Sequence, residues 1–210
     1  MNPAQRLRAI VVVMFGGFMS IFMIAIVNIS LPEIMTALST DVERIKWVIT
    51  AYMISLCVLM PTIGWLAGRF GHRNLFIASL SLFTFSSLCC GMAWSVESLV
   101  FFRAIQGIGG GLLMPITMAL LLRIFPPHQH GMAMGIWGLA NSIGGSLGPT
   151  VGGVITEYFS WRYIFLINVI PGLAGIILSL AVLPPDEDRE RSGLDVLGFF
   201  TMAVAMVSLL

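Results

Sequence analysis

Apolar residues in this chain come in long unbroken runs, neither alternating as in a half-buried strand nor confined to one stripe as in a surface helix. Residues 9–27 contain no charged side chain. Comparable runs follow, each bounded by charges, proline or turn residues, and they predict six helical spans at 9–31, 44–67, 75–93, 98–122, 131–155 and 162–183. Each has the roughly 20 residues that a helix needs to cross the hydrocarbon core. Proline cannot continue a helix past its first turn. Pro32 is therefore predicted to close the first span, Pro126 and Pro127 the fourth, and Pro184 and Pro185 the sixth. Thr40 followed by Glu43 has capping-box spacing and is predicted to start the second. The first run follows Arg6 and Arg8 as a signal peptide's core would, but it is too long and lacks a small-residue cleavage site, so it is read as a retained helix.

A further apolar run begins near Leu194 and reaches about 16 residues by Leu210, short of a full crossing. The expectation is a fragment or a truncated reading frame. It would consist of a bundle at 1–184, a charged linker at 185–193 and the start of a seventh span at 194–210. The acidic and basic run at 186–191 reads as a solvated hinge.

Composition narrows the function. Hydrophobic residues make up 58% and charged residues 10% of the 210, which is a membrane protein's balance. A net charge of +1 and the lack of a long basic tract exclude a nucleic-acid surface. Cys57, Cys89 and Cys90 lie in apolar runs and read as small hydrophobes, while His72, His128 and His130 lack metal-ligand spacing, so no metal or cofactor is expected. The 14 methionines suit either an adaptable cavity lining or a lipid-facing surface. No Ser/His/Asp set or phosphate loop accompanies the spans, so the chain is not read as an enzyme. With the amino terminus in the cytoplasm, Arg6, Arg8, Arg69, Arg73, Arg123, Arg189 and Arg191 lie inside against Arg44, Lys46 and Arg162 outside. Seven basic residues against three is the positive-inside arrangement.

Three motifs carry the candidate chemistry. Between the second and third spans, Gly64, Gly68 and Gly71 permit a tight reversal and close helix approach, and Arg69 and Arg73 either bond helix carbonyl ends or simply set topology. In the fourth span, Arg103, Gly107 and Gly111 share one helical face, leaving a shallow groove beside the guanidinium, with Gln106 adjacent. An intramembrane arginine either faces protein or a wet cavity or reaches out to the headgroups, and Gln106 with the glycine face favours the first. In the fifth span, Gly131, Gly135, Gly138, Ser142, Gly145 and Gly152 recur along one side, and Gly144 and Gly148 line the adjoining edge. This run, GGSLGPTVGG at 144–153, adds a bend at Pro149 and ends in Gly152 and Gly153. It suits either a helix that seals one mouth of a cavity and flexes, or static close packing.

Together these motifs resemble the major facilitator superfamily, and specifically its drug:proton antiporter branch with fourteen helices. The 64–73 loop, LVFFRAIQGIGGG at 99–111 and GGSLGPTVGG at 144–153 resemble that group's signatures in helices two to three, four and five. VNISLP at 27–32 and WRYIFLIN at 161–168 resemble its helix-one end and helix-six start. The resemblance implies an all-α, six-helix amino-terminal half made of two inverted three-helix repeats, paired with a missing carboxy-terminal half. It implies proton-coupled efflux of a small amphipathic substrate across a bacterial inner membrane, with a periplasmic adaptor protein among the partners it allows. Arg103, Gln106 and Asn28 would lie on the substrate and proton path. Gly107, Gly111, Gly144, Gly148, Pro149, Gly152 and Gly153 would serve gating and packing, and Gly64, Arg69, Gly71 and Arg73 the cytoplasmic loop. The sequence departs from the family where Gly68 replaces an acid and where the helix-one carboxylate falls at Met23. Export of a fatty acid or metabolite, or a non-functional or regulatory half, are the competing readings. None of the acidic residues lies in the middle of a span; Glu33 and Glu157 at helix ends either titrate or act as solvated caps.

Overall fold

The computed structural model describes residues 3–186 together with Thr201. The expected seventh span and most of the expected linker thus lie outside the described residues. Among the described residues there is no strand. Helices α1 (Pro3–Ala37), α4 (His72–Gly91), α5 (Val96–Ile124) and α6 (His130–Tyr158) each make a whole span. The second span is split into α2 (Val42–Leu59) and α3 (Ile63–Phe70), and the sixth into α7 (Tyr163–Leu166) and α8 (Val169–Val182). Five of the six are long and apolar enough to cross a membrane. The remaining one, the fifth span α6, has the length, 29 residues, but its glycines dilute its hydropathy.

The splits have local causes. Pro61 cannot donate, and Met60–Thr62 tightens into a 3-10 turn between α2 and α3. Pro171 sits in the first turn of α8, where an N–H has no intrahelical acceptor in any case, so a new helix starts after Asn168. The first, second, fourth and fifth spans run past both predicted ends because apolar content marks only the part inside hydrocarbon, whereas the third ends at Gly91 and the sixth stays within its predicted bounds.

Two predicted boundaries are wrong. Pro32 does not close the first span; it lies inside α1, which continues to Ala37. Proline removes only one ladder bond there, and the following turn is held by Ile34, wholly buried, and by the Thr36 hydroxyl donating to the Pro32 carbonyl at 3.0 Å. The cap of α2 is Asp41 and not Thr40: its Oδ1 accepts from the Arg44 amide at 2.8 Å. A capping box does occur two loops later, where Ser95 and Ser98 each accept from the other's amide at the start of α5.

Packing follows two inverted three-helix units. The first span lies along the fifth (α1 on α6) and, equivalently, the second along the fourth (α2 on α5), while α4 packs on both α5 and α8. The centre is filled by wholly buried Val13, Ile26, Phe76, Leu80, Phe83 and Leu113. Loops join the helices at two ends. The end holding Arg6, Arg69, Arg73 and Arg123 is called the amino-terminal face below, and the end holding Arg44, Lys46 and Arg162 the far face.

Candidate functional site

Arg103 lies in the second turn of α5 and is 1% exposed, so its guanidinium faces the bundle and does not reach the headgroups. Its Nε donates to the Val48 carbonyl at 3.1 Å and its Nη1 to Gln106 Oε1 at 2.7 Å. The Tyr52 ring lies under the guanidinium carbon, 4.1 Å from centroid to Cζ. Gln106, itself wholly buried, passes the chain on by donating to the Ser87 hydroxyl on α4. Tyr52 in turn lies 3.3 Å from the Ser20 hydroxyl of α1, and Ser20 donates to the Gly110 carbonyl at 3.2 Å. A cation removed from water is thus held by a carbonyl, an amide and a π-face. Among the described residues all carboxylates are exposed except that of Asp186, which is half-buried at the other face. Hydrogen bonds to a charge contribute about 1.5–3 kcal/mol each, and a desolvated cation–π contact about 2 kcal/mol, against a burial penalty of several kcal/mol.

The groove expected beside Arg103 does not exist. A Cβ on Gly107 would come 2.8 Å from Ser55 Cβ, and one on Gly111 would come 2.8 Å from the Leu56 Cα. This face of α5 is pressed against the backbone of α2, and the glycines are there to let it approach.

The glycines of α6 divide into two lines rather than one stripe. Gly144, Gly148 and Gly152, four apart, face α1: a Cβ at these positions would stand 3.1 Å from the Phe18 carbonyl, 3.0 Å from the Ile26 amide and 2.9 Å from Ile26 Cγ1. Gly152 therefore belongs with Gly144 and Gly148, not with the other line. Gly131, Gly135, Gly138 and Gly153 have nothing within 4 Å of an added Cβ, and Pro149 and Ser142 are exposed. One line joins the two repeats, and the other leaves a bare edge.

At the amino-terminal face, Gly71 reverses α3 into α4 with φ +85° and ψ 153°, a conformation open essentially to glycine alone. Gly64, expected to permit close approach, has nothing within 4 Å and serves no such contact. Arg69 stacks over Trp65 at 5.7 Å, and Arg73 Nη2 donates to the Leu180 carbonyl at 2.8 Å. The unforeseen partner is Asp186. Its carboxylate accepts from the amides of His72 and Arg73, both at 3.0 Å, capping α4 from the far end of the sequence. Read only as part of a charged run, it gave no signal of this role.

Asn28 is exposed on α1 and is not brought to the Arg103 cluster. Met23, by contrast, is wholly buried, and Asn168 Nδ2 lies 3.2 Å from its sulfur while also donating to the Ile164 carbonyl at 3.3 Å. Arg162 stacks on buried Trp161 at 4.6 Å and donates to the Ala93 carbonyl at 2.9 Å, tying the far-face loops together. Among the described residues no cluster of three or more His, Cys, Asp or Glu side chains is placed to hold a metal.

Comparison with known proteins fits this architecture. A protein of Klebsiella pneumoniae subsp. pneumoniae named "Putative multidrug resistance protein MdtD" is 36% identical over 207 residues, covering 99% of this chain and 44% of its own length. The "Uncharacterized MFS-type transporter YhcA" of Bacillus subtilis is 35% identical over 209 residues, covering 100% of this chain and 39% of its own. The chain thus spans less than half the length of these relatives. Among solved structures, that of the proton:xylose symporter XylE superposes with a TM-score of 0.78 at 18% identity over 99% of this chain and 53% of that one, a likeness of fold. The Major Facilitator Superfamily's sequence profile matches residues 13–208. That match extends from α1 through all six spans, and the chain belongs to the Major Facilitator Superfamily.

Proposed function

We propose that this chain is the amino-terminal half of a secondary active transporter that exports drugs or other amphipathic small molecules by alternating access, coupled to protons. The observation that carries the reading is the two-sided glycine pattern of α6. Gly144, Gly148 and Gly152 seat the helix on α1, and the bare edge at Gly135, Gly138 and Gly153 is available to a second bundle. Pro149 is exposed on the bare side, so the helix has both a fixed side and a side on which a partner can rock. The names of the multidrug-resistance relatives support drugs as cargo. In this reading residues 1–184 form one bundle, 185–193 a linker and 194–210 the start of a seventh span. Arg103, Gln106 and Asn28 belong to the substrate and proton path, and Gly107 and Gly111 with the α6 set govern packing and closure. Gly64, Arg69, Gly71 and Arg73 form the cytoplasmic loop. The basic residues gathered at the amino-terminal face support a cytoplasmic amino terminus, and the bacterial origin of the relatives supports residence in a bacterial inner membrane.

The test is ethidium accumulation in a pump-deficient bacterium expressing the full-length reading frame. Expected is lower accumulation that rises to the control level when the proton gradient is collapsed, and loss of export with normal insertion for Gly153→Leu. A second reading, export of a fatty acid or other anionic metabolite, is supported by the buried Arg103 charge, which has no buried carboxylate near it among the described residues. Export of an anionic fluorescein derivative without ethidium would favour it, and export of neither would overturn both.

A further inference from the structure

We propose that the amide of Asn141 is a cargo contact that hydrogen-bonds an uncharged polar group, a hydroxyl, amide or ketone, of the transported molecule. The proposal rests on the export reading above and narrows its substrate class. Asn141 lies 11 residues into α6, about 16 Å from its His130 end at 1.5 Å per residue, well inside the span. Both Nδ2 and Oδ1 are shielded from the surface and neither has a hydrogen-bond partner among the described residues. An unpaired amide in an apolar surrounding is costly, so a purely structural position would be better filled by an alanine or leucine.

The neighbours do not relieve it. Thr117 on α5 is the adjacent polar group, and its hydroxyl already donates to the Met114 carbonyl at 2.7 Å and accepts from Trp137 Nε1 at 3.2 Å. Opposite stands Gly17 of α1, where a Cβ would come 3.2 Å from Thr117 Oγ1 and 3.5 Å from Asn141 Oδ1. Any side chain at position 17 would therefore cover both groups. Along α6, Trp137 and Gly144 at i−4 and i+3 belong to the packed side, whereas Gly138 and Gly145 at i−3 and i+4 belong to the bare one. Gly138 has nothing within 4 Å and Gly145 only Ile21 Cγ2 at 3.7 Å. Asn141 thus stands where the packed seam meets the bare edge, and rotation of its side chain would turn the amide toward the side free of side chains without disturbing the seam. The groups assembled there, an amide, a hydroxyl and an indole N–H, are all neutral, which suits an uncharged partner because a bare ion would exchange its hydration for dipoles only.

The experiment uses the full-length protein in lipid nanodiscs with two radiolabelled probes: chloramphenicol, neutral and rich in hydroxyl and amide groups, and tetraphenylphosphonium, which has no hydrogen-bonding group. Asn141→Leu is expected to weaken chloramphenicol binding by about 5- to 30-fold, the equivalent of one hydrogen bond of 1–2 kcal/mol, and to leave tetraphenylphosphonium within about twofold. Asn141→Gln should retain part of the loss. Equal weakening of both probes, or of neither, overturns the proposal. A second measurement needs no affinity: with Cys57, Cys89 and Cys90 changed to alanine, the Asn141→Cys variant should react with a water-soluble methanethiosulfonate. Full inertness from both sides of the membrane overturns the cargo contact while leaving export itself intact. Failure of the wild type to bind either probe counts against the export reading, and the thiol reaction then decides the placement of Asn141 by itself.

Discussion

A guanidinium inside a span is tolerated only if each of its directions is met, and around Arg103 the contacts are divided among three helices. Gln106 is the pivot, since it accepts from Arg103 and donates to Ser87 at once. Gln106→Leu keeps the volume and leaves an N–H of the guanidinium and the Ser87 hydroxyl without their partner. Stability should fall by about 1.5–3 kcal/mol, read as a lower unfolding midpoint in detergent, and a shift under about 0.5 kcal/mol would show the network to be incidental. Tyr52→Leu should cost about 1–2 kcal/mol in the same assay through lost cation–π contact, with the Ser20 hydroxyl still bonded to Gly110. The need for a partner to Arg103 was legible in the sequence, because a charge among apolar residues cannot stand alone. Gln106 was legible too, lying one helical turn away. Val48, Tyr52 and Ser87 were not, since nothing in a one-dimensional pattern says which faces of α2 and α4 meet α5.

Among the elements, α6 and the α3–α4 turn make the sharpest claims. An added methyl at Gly148 would strike Ala25 and crowd the Ile26 amide, whereas at Gly153 it would meet open space. Gly148→Ala should therefore destabilise by about 1–3 kcal/mol, and Gly153→Ala should leave the unfolding midpoint unchanged or slightly raised, as alanine is the better helix former. Equal effects would mean that the two glycine lines are not distinct. At the turn, Gly71→Ala forces a side chain into a left-handed conformation and against the Asp186 carboxylate. Asp186→Ala removes the acceptor for two amides. Each should cost about 1–2 kcal/mol locally, seen as roughly tenfold faster hydrogen exchange at residues 72–73 with exchange in α5 unaffected. Glycine density predicted close packing in α6, but sorting it into two lines needed the position of α1. Asp186 lies more than a hundred residues from the amides it caps, and a contact of that range is invisible to local pattern.

For the molecule as a whole, the pairing of the first span with the fifth and the second with the fourth places odd and even loops at opposite ends, so orientation is one binary choice for all of them. Among the described residues, Arg6, Arg8, Arg69, Arg73 and Arg123 stand at the amino-terminal face and Arg44, Lys46 and Arg162 at the far face. The basic residues at the far face are also engaged: Arg162 holds the Ala93 carbonyl, and Arg44 lies 3.6 Å from Glu97. The larger number of basic residues at the amino-terminal face, five against three, supports the proposal that this face is cytoplasmic. Trp94 on the far face and His128 on the amino-terminal face are both exposed, so each can report its side. With Cys57, Cys89 and Cys90 replaced by alanine, Trp94→Cys should react with a membrane-impermeant maleimide on intact spheroplasts, and His128→Cys only after permeabilisation. The reverse pattern would invert the bundle and place the Gly71–Asp186 cap outside. It would also remove the basis for calling the 64–73 loop cytoplasmic, while the α1–α6 seam and the Arg103 network, which depend on packing alone, would stand unchanged.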